Sequence, residues 1–373
     1  MSLRPFALER YFARHEFSAR HLLGSSDPEA MSTAELLALE PGSETGLGRV
    51  WLGYTESLGD PALRTDIAAG FETLEPEQVL LFSGAEEPIF AFVHAVLEPG
   101  DHLIVQFPSY QSHYAVAESR GVQVSRWQGD PTRGWAPDLA ELRRLIRPET
   151  KALLVSTPHN PTGHHFGAKA WEELIAIARE HDLILFSDEV YRGLELEPSD
   201  RLPHAADRYE CGVSLDYLSK SCGLPGLRIG WIGTRDTELH ARLAAFKDYL
   251  TICASAPSEY LARIAVRHRE HLYARSRTRL SANLGLMEAF FRRQQGWFRW
   301  QRPKAGSTTF PAFLGGDAQA FCDRLVAETG IMLVPGSCFD LEAPYLRFGY
   351  GRADLPEVLP LLEAYLERLA GRA

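Results

Sequence analysis

From Gln78 to about Thr234, short apolar runs alternate with segments whose apolar positions recur every three or four residues. The runs predict strands at 78–82, 102–107, 122–127, 151–157, 183–188, 212–218 and 228–234. The segments between them predict helices at 86–97, 111–120, 137–146 and 168–181. Such alternation predicts an α/β fold, a mainly parallel seven-stranded sheet between helices, with ligands gathering beyond the carboxyl ends of the strands. After Thr234 the pattern lengthens into amphipathic helices at 236–250, 258–269 and 272–294. A smaller α/β unit follows, with strands at 297–302, 308–314, 331–334 and 345–350 and helices at 318–329 and 356–369. Pro356 suits the first position of the last helix, where the missing N–H is not needed. The expected organisation is an N-terminal arm, 1–53, packing with a small C-terminal domain, 271–373, beside a large domain, 54–270.

Composition narrows the function. The 373 residues are 45% hydrophobic and 24% charged, ordinary for a globular protein. A net charge of -10 argues against nucleic acid as a partner, since the arginines are dispersed among acids. The first 53 residues are too short and too acidic for a basic winged helix, so a DNA-binding sensor is not expected. No apolar run approaches the roughly 20 residues needed to span a bilayer, and Met1 to Arg10 has no apolar signal core. A cytoplasmic protein without a membrane partner is expected. Five cysteines without C-x-x-C spacing suggest buried thiols rather than disulfides or zinc. His164-His165 lacks partner ligands at metal spacing, so no metal is expected.

Chemistry concentrates where the predicted strands end. In Ser219-Lys220-Ser221-Cys222-Gly223-Leu224-Pro225-Gly226-Leu227-Arg228, a lysine sits in a loop stiffened by proline and followed eight residues later by an arginine. An amine that condenses with an aldehyde must be held in place and partly deprotonated, and a guanidinium fork suits a phosphate. The chain has only five lysines, and Lys151, Lys169, Lys247 and Lys304 fall at a strand start, a polar helix, a helix without a phosphate-binding companion and a turn. Lys220 remains. Ser83-Gly84-Ala85-Glu86 lies between a strand and a helix, where exposed N–H groups attract phosphate. Asp188, closing a strand, reads either as a turn acid or as the partner of a pyridine nitrogen, with Tyr191 three residues on near a ring hydroxyl. Asn160, between Pro158 and Pro161, reads as part of a rigid turn or as an amide aimed at a cofactor oxygen. Tyr110 reads as a core aromatic or as a ring stacked on a planar cofactor.

Taken together with Gly53-Tyr54 through Arg64, Asn160-Pro161-Thr162-Gly163, Asp188-Glu189-Val190-Tyr191 and Tyr345 through Arg352, this order resembles the class I/II aminotransferases, pyridoxal-phosphate (PLP) enzymes of fold type I, from about Tyr54 to the C-terminus. The resemblance implies that Lys220 carries pyridoxal 5'-phosphate as a Schiff base and moves the proton at the substrate Cα. It implies that Asp188 pairs with the ring nitrogen, that Asn160 and Tyr191 bind the ring hydroxyl and that Tyr110 stacks on the ring. Gly84, Ala85, Glu86, Ser219 and Arg228 would surround the phosphate, and Arg347 would clamp the substrate carboxylate. Tyr54 of the partner subunit would reach the phosphate, which requires a homodimer. The implied reaction moves the amino group of an L-α-amino acid to a 2-oxo acid.

Departures from the family pattern matter too. Tyr217 stands three residues before the lysine, where many members have serine, and Glu86 stands where a hydroxyl or amide is common. The usual glycine-rich substrate segment appears as Leu23-Gly24-Ser25-Ser26-Asp27-Pro28-Glu29, which makes Ser25 and Asp27 candidate substrate contacts. Upstream, Glu9, His15 and Glu16 read as caps and solvated faces or as a cation-accepting pocket. Lys247 through Cys253, Ser83 through Glu87 and the acidic arm are similar to capreomycidine-synthase-like cyclases. That similarity implies an alternative: elimination and guanidine re-addition on a hydroxylated arginine derivative.

Overall fold

The computed structural model describes residues 2–371. Eight strands form the main sheet: β1 (Val79–Phe82), β2 (His102–Phe107), β3 (Gln123–Asp130), β4 (Ala136–Pro137), β5 (Thr150–Ser156), β6 (Ile184–Asp188), β7 (Gly212–Tyr217) and β8 (Gly230–Thr234). Their order is β1-β8-β7-β6-β5-β2-β3-β4. The seven predicted strands are all present. The two-residue β4, antiparallel to the end of β3, is the addition, and two residues are too few to show a period.

Pairing among β3, β2, β5, β6 and β7 is parallel. Every residue of β2 and β7 is buried, polar members included, as strands covered on both faces must be. The helix Ala168–Glu180 covers one face by burying Trp171, Leu174, Ile175 and Ala178, a stripe with helical spacing. β8 departs from the parallel pattern, running antiparallel to both β7 and β1. Its first residue therefore lies at the same sheet edge as the last residues of its neighbours: Gly230 is opposite Tyr217 on one side and Phe82 on the other.

The C-terminal strands are shorter than the hydrophobic pattern predicts. The 297–302 strand contracts to Phe298–Arg299, and 308–314 divides into Thr308–Thr309 and Ala312–Phe313. Pro311 lies at the break and has no N–H to give a ladder. The 331–334 strand moves to Val334–Pro335, while Ile331 bridges instead to His21 of the arm. Leu346–Gly349 pairs with both Thr308–Thr309 and Val334–Pro335.

The arm is tied to this sheet by backbone hydrogen bonds: Gly24 N donates to Met332 O at 2.7 Å and Gly349 N to Leu23 O at 2.6 Å. Tyr11 Oη adds a bond to Leu333 O at 2.9 Å. A Cβ on Gly349 would lie 1.7 Å from Ser25 O, so this approach of arm and strand requires glycine. Further on, Leu36 and Leu37 pack with Leu63, Ile67, Ala262 and Ala265, so the first residues spread over both regions. Among the described residues, no helix is long and apolar enough to cross a membrane.

One buried acid ends the strand that leads to Lys220. Asp216 Oδ1 accepts the Tyr217 N–H at 2.6 Å, and burial pushes its carboxyl up to about 8, with Glu189 adding to the effect. The unfolded chain ionises Asp216 near 3.8, so between that value and about 8 the unfolded state has lost a proton that the native state retains. Stability from this group therefore falls as pH rises across that window. The variant Asp216→Asn keeps the acceptor and removes the titration. Unfolding by urea at pH 5 and pH 8 is expected to show the variant gaining on wild type as pH rises; parallel behaviour at both values would refute this.

Candidate active site

The carboxyl ends of β1, β2, β5, β6 and β7, with the start of β8, surround a cavity of about 660 Å³. Lys220 follows β7, and Arg228 immediately precedes Ile229 and β8, so one loop brings both cations to the same edge. Lys220 Nζ donates to Ser26 Oγ at 3.0 Å. Burial works against its charge, but Tyr191, Asp27 and Tyr217 outweigh it and hold the ammonium above its ordinary value. Arg228 adopts a left-handed backbone at φ 53° and donates to the Tyr217 hydroxyl and to Pro225 O, the latter at 3.2 Å. Tyr217 thus faces the arginine as an acceptor, where a serine would be too short to reach it.

The β1 end supplies Ser83-Gly84-Ala85, leading into the helix Glu86–Val96. Gly84 has φ 94°, and a Cβ there would lie 2.5 Å from Arg228 Nη2. Glu86 accepts from Ser112 Oγ, while its Oε2 is buried without a partner. Burial raises its pKa, partly offset by Ser112 and His113. Tyr110 Oη donates to Glu9 Oε1 at 3.2 Å, and its ring lies 4.8 Å from that of Phe6.

Asp188, at the end of β6, accepts the Val190 N–H at 3.2 Å through Oδ1, and its Oδ2 lies 3.1 Å from His113 Nε2. His113 Nδ1 lies 2.8 Å from Ser109 Oγ. Sequence reasoning missed His113; its signal was a place three residues after Tyr110, in the first turn of the helix Ser112–Ser119 that follows β2. Asn160, beyond β5, accepts from Arg347 Nη1 at 3.0 Å. Arg347 is 1% exposed and also donates through Nε to Gly24 O at 3.0 Å, while Nη2 makes no hydrogen bond to another described residue. Burial lowers its pKa. Tyr191 is buried on the same wall.

The arm completes the cavity with Glu9, Phe12, Glu16 and the Ser25–Asp27 turn. Ser25 Oγ donates to Asp27 Oδ1 at 2.6 Å, and Arg352 Nη2 donates to Asp27 Oδ2 at 2.8 Å. Burial alone would raise the Asp27 carboxyl, but Lys220 and Arg352 hold it below its ordinary value. Arg352, within the quoted 345–352 motif, had been given no role. Of the site residues named from sequence, three do not line the cavity: Gly84 lies behind Arg228, His15 packs on Tyr11 with ring centroids 4.7 Å apart, and Tyr54 is 86% exposed.

The family model for aminotransferase class I and II matches residues 22–363. Capreomycidine synthase of Streptomyces vinaceus is 30% identical over 98% of this chain and 94% of its own. A PLP-dependent aminotransferase from Streptococcus suis superposes with a TM-score of 0.93 at 32% identity, covering 99% of each chain. The PLP-dependent cyclase OrfR superposes with a TM-score of 0.90 at 26% identity, covering 100% of this chain and 99% of that one. The architecture is that of fold type I PLP enzymes.

The residues present fit pyridoxal 5'-phosphate. Ser219 Oγ is buried with no hydrogen-bond partner, a group that a phosphate oxygen would satisfy. Beside it lie Arg228 and the N–H groups at the start of the Glu86–Val96 helix, a combination suited to a dianion. The expected effect of Gly84→Ala follows from its φ and from the Arg228 contact: cofactor affinity should fall at least about tenfold, through roughly 1–3 kcal/mol of backbone strain and displacement of the arginine. Equilibrium titration of the apoprotein followed by cofactor absorbance measures it, and wild-type affinity would contradict the assignment.

Proposed function

The chain belongs to the class I and II aminotransferase family, whose cofactor is pyridoxal 5'-phosphate, and on that premise we propose that it moves the amino group of an L-α-amino acid to a 2-oxo acid. The observation carrying this reading is the pair of cations in one cavity, half-buried Lys220 and buried Arg347, with Asn160 accepting from Arg347 at 3.0 Å. Bound there, the cofactor supplies an aldehyde for the substrate amine and a ring that withdraws electrons from Cα.

The protein groups then have separate tasks. Arg347, held by Gly24 O and Asn160, grips the α-carboxylate with its remaining N–H groups and so fixes the rotation of Cα. Lys220 would take the proton from Cα and hold it for return. Asp188, with His113 against it, would pair with the ring nitrogen. Asn160 and Tyr191 serve the ring hydroxyl, Tyr110 covers the ring, and Gly84, Ala85, Glu86, Ser219 and Arg228 form the phosphate cradle.

A second reading, a cyclase or lyase acting on a hydroxylated arginine derivative by elimination and guanidine re-addition, is favoured by the similarity to capreomycidine synthase and to a PLP-dependent cyclase over nearly the whole chain. Both readings share every step up to removal of the Cα proton. Mass spectrometry of products from a panel of amino acids, with and without a 2-oxo acid acceptor, separates them. Acceptor-dependent appearance of the substrate's own oxo acid is expected, and Lys220→Ala should lower turnover at least about a thousandfold. Consumption of substrate without acceptor and without oxo acid would replace the transaminase reading by the cyclase one.

We also propose a cytoplasmic homodimer in which Tyr54 of the partner subunit reaches the phosphate. Trp51, Leu52, Tyr54 and Tyr249 are at least 79% exposed, a run of large apolar groups that solvent does not favour. Sedimentation of the holoenzyme should give twice the chain mass; a monomer at micromolar concentration would refute the dimer.

A further inference from the structure

Three carboxylates in the active-site cavity have no cationic partner. Asp188 faces His113 and Asp27 is held by Arg352, but no ion pair involves Glu9, Glu16 or Glu86 among the described residues. The cavity's other cations have uses already: Lys220 and Arg228 serve the cofactor, and Arg347 serves the substrate carboxylate. Negative charge therefore remains after cofactor and an α-carboxylate are accommodated.

The placement of that charge is specific. Glu9, Phe12 and Glu16 are spaced three and four apart on the helix Ala7–His15 and its C-cap, so they share the face that lines the cavity. Phe12 marks the substrate end, with the Arg347 guanidinium carbon 5.8 Å from its ring centroid. At 1.5 Å rise per residue, Glu9 and Glu16 lie about one turn to either side of it. Glu16 is raised above its ordinary value by burial first and then by Asp27 and Glu9, only partly offset by Arg352 and Lys220, so a further cation beside it would favour its charged form. Independently, Glu86 Oε2 is a buried acceptor in the same cavity that takes no hydrogen bond among the described residues, with the Tyr110 hydroxyl as the nearby donor. Glu9 approaches it through Tyr110, which donates to Glu9 at 3.2 Å.

We propose that Glu9 and Glu16 form a side-chain subsite for a cationic group, so that the substrate is a dibasic α-amino acid. This rests on the reading that an amino acid binds between Lys220 and Arg347, and it holds whether transfer or cyclisation follows. A guanidinium, with five donors in a planar fork, bridges two carboxylates better than a single ammonium. Arginine-type side chains are thus preferred over lysine-type ones, and neutral chains of equal length are disfavoured.

The test is spectral titration of the holoenzyme with L-arginine, L-lysine, L-norleucine and L-glutamate, in wild type, Glu9→Gln and Glu16→Gln. Wild type is expected to bind arginine at least about tenfold more tightly than norleucine, with lysine between them. Each amide variant should reduce the arginine-to-norleucine affinity ratio by about tenfold, the scale of one charge-assisted hydrogen bond. Near-isosteric replacement on a partly exposed helix leaves folding intact, which circular dichroism checks, and a Glu16→Asp variant should recover part of the ratio. Equal binding of arginine and norleucine by wild type, or an unchanged ratio in both variants, overturns the subsite. Failure of the underlying reading looks different: none of the four amino acids would perturb the cofactor spectrum, and Lys220→Ala would leave that spectrum unaltered.

Discussion

The site depends on one topological constraint, the antiparallel return of β8 between β7 and β1. A parallel β8 would begin at the opposite edge of the sheet, and its leading residues would lie a strand length from the end of β7. Running backwards, it lets the loop after Tyr217 deliver Lys220 on the way out and Arg228 on the way in, with Gly230 opposite both Tyr217 and Phe82. The Phe82 register then places Gly84 against Arg228, so closely that a Cβ on Gly84 would lie 2.5 Å from Nη2. Phosphate cradle and reactive amine are thus consequences of the same strand, and neither can be moved without the other.

Burial gives these groups their chemistry, and pairing decides which ones remain charged. Arg347 is buried, yet it keeps two protein acceptors and one free edge, so its charge is directed rather than quenched. Asp27 is held below its ordinary value by Lys220 and Arg352 despite burial, whereas Glu86, whose donor is a neutral serine, is raised. Beside a phosphate site, a carboxyl whose charge is disfavoured by burial repels a dianion less than an exposed one would. Tyr217 meets the same requirement, presenting a phenol oxygen to Arg228 where a charged group would compete with the phosphate.

Much of this was legible in the chain because strand ends and polar residues coincide in sequence. Asp188, Asn160, Tyr110, Gly84 and Lys220 each follow an apolar run, and a parallel sheet brings all such positions to one edge. His113 escaped notice because its contact with Asp188 joins the start of the helix after β2 to the end of β6, strands separated in the sheet by β5, and no local spacing encodes that pairing. Arg352 was visible within its motif, but its bond to Asp27 depends on the arm crossing the C-terminal sheet, a contact between residues 325 positions apart. The short C-terminal strands were overestimated for a related reason: their apolar residues pack into a core, while prolines and glycines limit the ladder to two or four residues.

The arm is the part of the site least bound by these constraints. Its path is fixed by backbone hydrogen bonds to Met332 and Gly349 and by Tyr11 to Leu333, all independent of what Glu9, Phe12 and Glu16 present to the cavity. Residues at those three positions can therefore change without breaking that path, and what they alter is local: Phe12 packs on the Arg347 guanidinium and Glu9 accepts from Tyr110. In the proposed reading, the groups around Lys220 and Arg228 belong to the sheet edge, where topology forbids movement, and the side-chain subsite belongs to a helix attached from outside. A fold arranged in this way would keep proton transfer at Cα unchanged while the accepted substrate varied, and for this chain the arm presents Glu9 and Glu16 to the cavity.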